Sequence, residues 1–193
     1  MRITGGRMCG RILAVPKTGD IRPSQDRVRE ALFSMLMGRI EGARFLDLFA
    51  GTGAVGIEAL SRGAAETVFV EKSREHIRVL QRNLAMGDNA GIGHGQIIEG
   101  DAYNYISVGN SRQFDIVFAD PPYAIGKDNG YLKVLSDLRQ NGIIKPGGVF
   151  IAEMIATQQP EETEGWQLWK DRRYGSTRLA LWLCNELAVT PDA

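Results

Sequence analysis

Apolar positions recur at helical spacing early in the chain and switch to a strand–helix alternation near residue 44. Val28, Ala31, Leu32, Met35 and Leu36 line one face of a helix that begins at Pro23-Ser24, with Ser24 as N-cap. That helix is expected to turn Arg27 and Arg29 away from the core. Ahead of it, Arg2-Ile3-Thr4 and Arg11-Ile12-Leu13-Ala14-Val15 read as two short strands, joined through a turn holding Gly5, Gly6 and Gly10.

Beyond residue 44 the pattern predicts strands at Phe45–Phe49, Thr67–Val70, Gln96–Ile98, Phe114–Ala119 and Val149–Glu153, the last opened by Gly147-Gly148. Helices are predicted at Ala54–Arg62, Ala102–Ile106 and Tyr131–Gln140, with another capped by Ser73 and carrying Ile77, Leu80 and Leu84. This succession requires an α/β fold, a largely parallel sheet with helices on both faces. Gln167–Tyr174 and Arg178–Leu183 are separated only by Gly175-Ser176-Thr177 and predict a C-terminal antiparallel hairpin. The expected organisation is a basic hairpin-and-helix extension over 1–40, a main domain over 41–185 and a frayed polar tail over 186–193.

Composition narrows the class of protein. At 193 residues, 44% apolar and 24% charged, the chain is sized for one soluble domain. It has no apolar run of membrane-spanning length and no signal-peptide core, so a cytoplasmic location is expected. Cys9 and Cys184 are isolated, and neither a disulfide framework nor a zinc site is suggested. The zero net charge hides an asymmetry. Residues 1–44 hold nine Lys/Arg against four Asp/Glu, a net +5, and the remainder carries −5. Such a segment suits a polyanion partner, although a solvated basic surface would show the same balance.

Two motifs carry the chemistry. Gly51-Thr52-Gly53-Ala54-Val55-Gly56 spells GxGxxG between a strand and a helix, where glycines admit a ligand to the backbone. Both a dinucleotide and S-adenosylmethionine use such a loop. Asp47, four residues before the first glycine, favours the latter: it suits an ammonium and would repel a pyrophosphate. Glu71, at the end of the second strand, can accept two ribose hydroxyls, a feature shared with nicotinamide sites. Asp101 could meet an adenine amine with Ala102 alongside, and an N-cap role is compatible with that. Asp120-Pro121-Pro122-Tyr123 follows the buried run Phe114–Ala119, and neither proline can continue a central strand. The turn gathers the Asp120 carboxylate, the Pro121 carbonyl and the Tyr123 ring around one volume fit for a flat, amine-bearing ring. A Pro-Pro loop with a packed tyrosine is the plainer alternative.

These motifs resemble those of the class I S-adenosylmethionine-dependent methyltransferases. Gly5-Gly6, Gly10-Arg11, Arg22-Pro23-Ser24, Asp26-Arg27-Val28-Arg29-Glu30-Ala31-Leu32, Glu58-Ala59-Leu60-Ser61-Arg62-Gly63-Ala64 and Tyr174-Gly175-Ser176-Thr177 are similar to the RsmD-type enzymes. Those enzymes act on guanine N2 of 16S ribosomal RNA. The resemblance spans about residues 1–184 and implies a Rossmann-like, seven-stranded fold. Cys9 stands where that family usually has a basic residue.

The expected cofactor contacts are Asp47, Phe49, Ala50, Gly51, Thr52, Gly53, Glu71, Lys72, Asp101, Ala102 and Asp120. The catalytic set is Asp120, Pro121 and Tyr123, with no metal. RNA contacts are expected from Arg7, Arg11, Arg22, Arg27, Arg29, Tyr123, Arg172 and Arg173. The expected partner is ribosomal RNA or an assembling small ribosomal subunit, with no obligate protein partner and no membrane. A DNA adenine-N6 methyltransferase, a non-enzymatic S-adenosylmethionine- or RNA-binding module and a nicotinamide oxidoreductase are the competing classes.

Overall fold

In the computed structural model, which describes residues 1–16, 23–88, 90–109, 112–121 and 131–185, the strand Arg44–Asp47 (β1) lies at the centre of the architecture. It pairs in parallel with Glu66–Glu71 (β2) on one side and Phe114–Ala119 (β4) on the other. His94–Glu99 (β3) extends the β2 side, and Ile144–Ile155 (β5) extends the β4 side, both in parallel. Thr177–Cys184 (β7) pairs antiparallel with β5, and Trp166–Tyr174 (β6) pairs antiparallel with β7. The order β3-β2-β1-β4-β5-β7-β6 reverses direction between β1 and β4, the switch point at which open α/β sheets leave a crevice.

Alternation along the strands divides the core in two. Phe45, Phe69, Phe118 and Ile151 face Pro23–Met35 (α1), Ala54–Ser61 (α2) and Arg74–Ala85 (α3). Leu46, Val68, Val117 and Phe150 face Ala102–Val108 (α4) and Leu132–Gln140 (α5). Strands covered on both faces read as near-continuous apolar runs, broken in β4 only by Asp115, which is why β4 was readable to the residue. β5 starts five residues before its expected Val149. Its pairing jumps from Phe114↔Ile144 to Ile116↔Val149, so Lys145, Pro146, Gly147 and Gly148 bulge out of the ladder, and Pro146 leaves no ladder bond unmade.

The N-terminal segment forms the expected small hairpin around one antiparallel bridge, Arg2↔Ile12, with the Ile3 N–H donating to the Arg11 carbonyl at 2.9 Å, the Gly10 N–H to the Ile3 carbonyl at 2.9 Å and the Leu13 N–H to the Met1 carbonyl at 3.0 Å. Its turn is bonded to α2. The Arg7 N–H donates to the Ser61 carbonyl at 2.7 Å, and the Met8 N–H to Ser61 Oγ at 2.8 Å. Gly6 takes φ 77°, and a Cβ there would lie 1.9 Å from the Ser61 carbonyl oxygen, so only glycine permits this approach. Ile3, Met8 and Leu13 are buried in the α1–α2–α3 core.

Arg29 is a correction. It is buried, and its Nε meets Glu58 Oε2 at 2.6 Å. It also contacts the Arg2 carbonyl and, at 3.0 Å, Asp26. Glu58, fully buried on α2, further accepts from Arg62 at 2.7 Å and from the Thr4 hydroxyl. Arg29 thus joins α1, α2 and the N-terminal segment rather than meeting a phosphate. Among the described residues no helix is long and apolar enough to cross a membrane.

Replacing Arg29 with Met should strand part of the Glu58 charge in the core and cost roughly 3 kcal/mol in urea unfolding. Arg27→Ala, at an exposed position of the same helix, should stay within about 0.5 kcal/mol. Equal effects would contradict the buried-pair assignment.

Candidate functional site

The C-terminal ends of β3, β2, β1, β4 and β5 carry Asp101, Glu71, Asp47, Asp120 and Glu153 in spatial order. Between them lies the glycine loop. Its entry is bonded to both flanking strands: the Leu48 N–H donates to the Phe118 carbonyl at 3.0 Å and the Ala50 N–H to the Val70 carbonyl at 3.1 Å. Glu71 shapes the loop from β2, with Oε2 accepting the Gly51 N–H and Oε1 the Ser73 N–H, each at 2.7 Å. Gly51 (φ 53°) and Gly53 (φ 83°) both take the left-handed conformation. A Cβ on Gly51 would meet nothing within 4 Å, and the same holds at Gly100 beside Asp101. The backbone at these two glycines therefore borders open space.

Asp47 is 1% exposed, and its Oδ2 accepts the Gly56 N–H in the first turn of α2 at 3.1 Å. Burial raises its carboxyl to about 7, against the pull of that hydrogen bond, and the charges of Asp120 and Glu71 add to the rise. Asp120 is exposed, yet protein crowds its carboxylate closely enough that desolvation lifts it to about 6. Glu153 rises to about 8, through burial and then the charge of Asp120, with Arg29 opposing. Tyr131 donates its hydroxyl to the Glu153 carbonyl at 2.9 Å, and burial pushes its own ionisation well up. Among the described residues Asp47, Asp120 and Glu153 form no salt bridge. The crevice is thus an acid-lined volume suited to a cation.

Asp101 is exposed and caps α4, with Oδ1 accepting the Tyr103 and Asn104 N–H groups at 3.0 and 3.1 Å. Ala102 is buried behind it. Phe49 and Tyr103 meet edge to face at 5.5 Å between centroids and form an apolar flank between the loop and Asp101. Lys72 is exposed, and Thr52 and Pro121 are half-buried. Tyr123 and Arg22 lie outside the described residues, as does Pro122.

Five of the basic residues expected to meet RNA are exposed: Arg7, Arg11, Arg27, Arg172 and Arg173. Arg7 and Arg11 are partly engaged, reaching the carbonyls of Gly91 and Met86, the latter at 2.8 Å. Across the sheet, Glu153 pairs with Leu179, and Leu179 with Arg172, which sets Arg172 two strands from the acid row at the same level. At the opposite sheet edge, a cavity of about 360 Å³ lined by Arg39, Asp115 and Lys145 is internally paired, with Lys145 on Asp115 at 2.6 Å. Tyr131 and Asn83 went unnoticed in the sequence. The one available signal was a polar Asn83 on the buried face of α3, one turn beyond Leu80.

The family model described as conserved hypothetical protein 95 matches residues 1–183. The chain is 33% identical to the ribosomal RNA small subunit methyltransferase D of Escherichia coli, over 94% of this chain and 89% of that one. The protein of the same name from Haemophilus influenzae is 32% identical over 91% and 89%. Among solved structures, the Escherichia coli protein yhhF superposes with a TM-score of 0.81 at 32% identity, covering 97% of this chain and 99% of its own.

Carboxyls raised in the folded state hold protons that the unfolded chain has released, so folding stability should fall as pH rises from about 4 to about 8. Asp47→Asn keeps an acceptor for Gly56 and removes one such group. It should flatten the decline and gain up to about 4 kcal/mol at pH 8 relative to the parent. Urea unfolding at pH 5 and pH 8 checks this, and an unchanged decline would contradict it.

Proposed function

The chain belongs to the conserved hypothetical protein 95 family, that of the ribosomal RNA small subunit methyltransferases D, and on this premise we propose that it transfers a methyl group from S-adenosylmethionine to the exocyclic N2 of a guanine in small-subunit ribosomal RNA. The observation that carries the reading is the row of acids without a basic partner around a loop whose first glycine, Gly51, borders open space. A cationic ligand fits that donor set, whereas a pyrophosphate would be repelled by it. When bound, S-adenosylmethionine supplies a methyl group already activated by its sulfonium.

The residues divide the work by position. Gly51 and Gly100 admit close approach to the backbone. Glu71 holds the loop through Gly51 while keeping lone pairs for hydroxyl donors. Asp101 spends Oδ1 on its helix cap and leaves Oδ2 for an amine. Phe49 and Tyr103 offer an apolar wall to a flat ring. Asp47 acts through its field from beneath the loop, because its surface is closed.

A guanine N2 lone pair is delocalised into its ring, so the amine must be aligned and its developing positive charge stabilised. The Asp120 carboxylate and the Pro121 carbonyl accept hydrogen bonds from the amine at the end of β4, the Asp120 carboxylate takes the one proton that the methylated nitrogen sheds, and orientation supplies most of the acceleration. With its carboxyl raised to about 6, Asp120 is mainly ionised at neutral pH and accepts there. Tyr123, two residues beyond Pro121 in the chain, stacks on the base. Drawing the base from its helix or loop costs about a few kcal/mol. Phosphate contacts from Arg27, Arg172 and Arg173, all exposed, offset that cost and make binding salt-dependent. The protein acts in the cytoplasm, where small subunits are assembled.

Labelled S-adenosylmethionine offered with small-subunit particles, naked 16S rRNA and duplex DNA should label RNA-containing substrates at guanine N2. Label confined to DNA would refute the substrate assignment. Asp120→Asn should lower kcat by about 10²-fold or more while changing donor affinity less than about tenfold. Unchanged turnover would remove Asp120 from the mechanism. Gly51→Val should abolish donor binding in calorimetry, because its side chain fills the open space and strains a positive φ.

A further inference from the structure

Asn83 on α3 is fully buried, and its amide is bonded at both ends. Oδ1 accepts the Ala14 N–H at 2.7 Å. Nδ2 donates to the Ala14 carbonyl at 3.1 Å and to the Thr52 carbonyl at 2.9 Å. The reversed amide would set an oxygen against two carbonyl oxygens, so the surroundings admit one orientation. One turn earlier, Leu80 packs on the next loop residue: a Cβ on Gly53 would fall 2.2 Å from Leu80 Cδ1. The same helix face therefore grips two successive residues of the glycine loop and the backbone of the N-terminal segment. Ala14 lies three residues beyond the exposed Arg11 of the same segment.

We propose that Asn83 is a positioning residue that ties the glycine loop to the N-terminal basic segment, so that a donor on the loop and RNA on the segment bind cooperatively. The inference rests on the reading of the loop as the donor site. The coupling follows from shared hydrogen-bond partners. Nδ2 reaches Ala14 and Thr52 together only when both carbonyls stand in place. A ligand that restrains Thr52 therefore restrains the amide, and the amide restrains Ala14. By linkage, RNA that orders the segment strengthens donor binding by the same factor.

Amide hydrogen exchange, read residue by residue with and without S-adenosylhomocysteine, tests the connection. In the unaltered protein, saturating ligand should slow exchange at Gly51 and Gly53, and also at Ala14, the last by about tenfold. In Asn83→Ala the ligand should still protect Gly51 and Gly53, while Ala14 no longer responds. A response at Ala14 that survives Asn83→Ala would overturn the role of Asn83. Loop protection with Ala14 unmoved in the unaltered protein would overturn the coupling and leave the proposed function standing. No protection at Gly51 or Gly53 would remove the functional reading, and the inference with it. The measurement on the unaltered protein needs no substitution, so it decides the matter even if the variant does not fold.

Discussion

Acidic groups crowded together without a basic partner are the constraint around which the site is arranged. Five parallel strands end on one edge, and four of them bring Glu71, Asp47, Asp120 and Glu153 to neighbouring positions. Desolvation raises the carboxyls of Asp47, Glu153 and, although it is exposed, Asp120, and the charge of Asp120 raises Asp47 and Glu153 further. An arrangement of this kind costs folding stability unless a cation relieves it. The sheet tolerates it because the two apolar cores, with Phe45, Phe69 and Phe118 on one face and Phe150 and Trp182 on the other, are fully closed beneath it.

A second interaction fixes what surrounds the acid row. Glu58 is buried on α2 and collects Arg29 from α1, Arg62 from its own helix and Thr4 from the N-terminal segment. Through it the basic extension is welded to the helix layer beside the acid row rather than carried on a tether. Arg29 belongs to both regions, since it pairs with Glu58 and its charge opposes the rise at Glu153. The stretches Asp26–Leu32 and Glu58–Ala64, which first marked the resemblance, thus owe part of their character to this junction. Their arginines are not interchangeable: Arg27 is exposed and Arg29 is enclosed.

Legibility followed the range of the interactions. β4 was readable from Phe114 to Ala119 because burial on both faces leaves an apolar run broken only by Asp115 near its start. The hairpin of β6 and β7 was readable because its turn is local. The start of β5 was hidden, since Pro146 and two glycines imitate a turn while forming a bulge within the strand. Arg29 was misread for a different reason. Its neighbours on α1 place it beside the apolar stripe, and the partner that buries it stands 29 residues away. The N-terminal hairpin was readable as well, but the bonds from Arg7 and Met8 to Ser61 that seat its turn on α2 are announced by no local pattern. At the site, Asp47, Glu71, Asp101 and Asp120 all reach the expected edge, but the bonds that occupy Glu71 and enclose Asp47 emerge only from the fold.

The central claim is that this edge is built to receive positive charge. It is tested most directly by following the Asp120 carboxyl carbon by NMR across pH, in the free protein and with saturating S-adenosylmethionine. The account predicts a midpoint near 6 in the free protein and a clear fall when the ligand is bound. A midpoint that stays put, or rises, would contradict it.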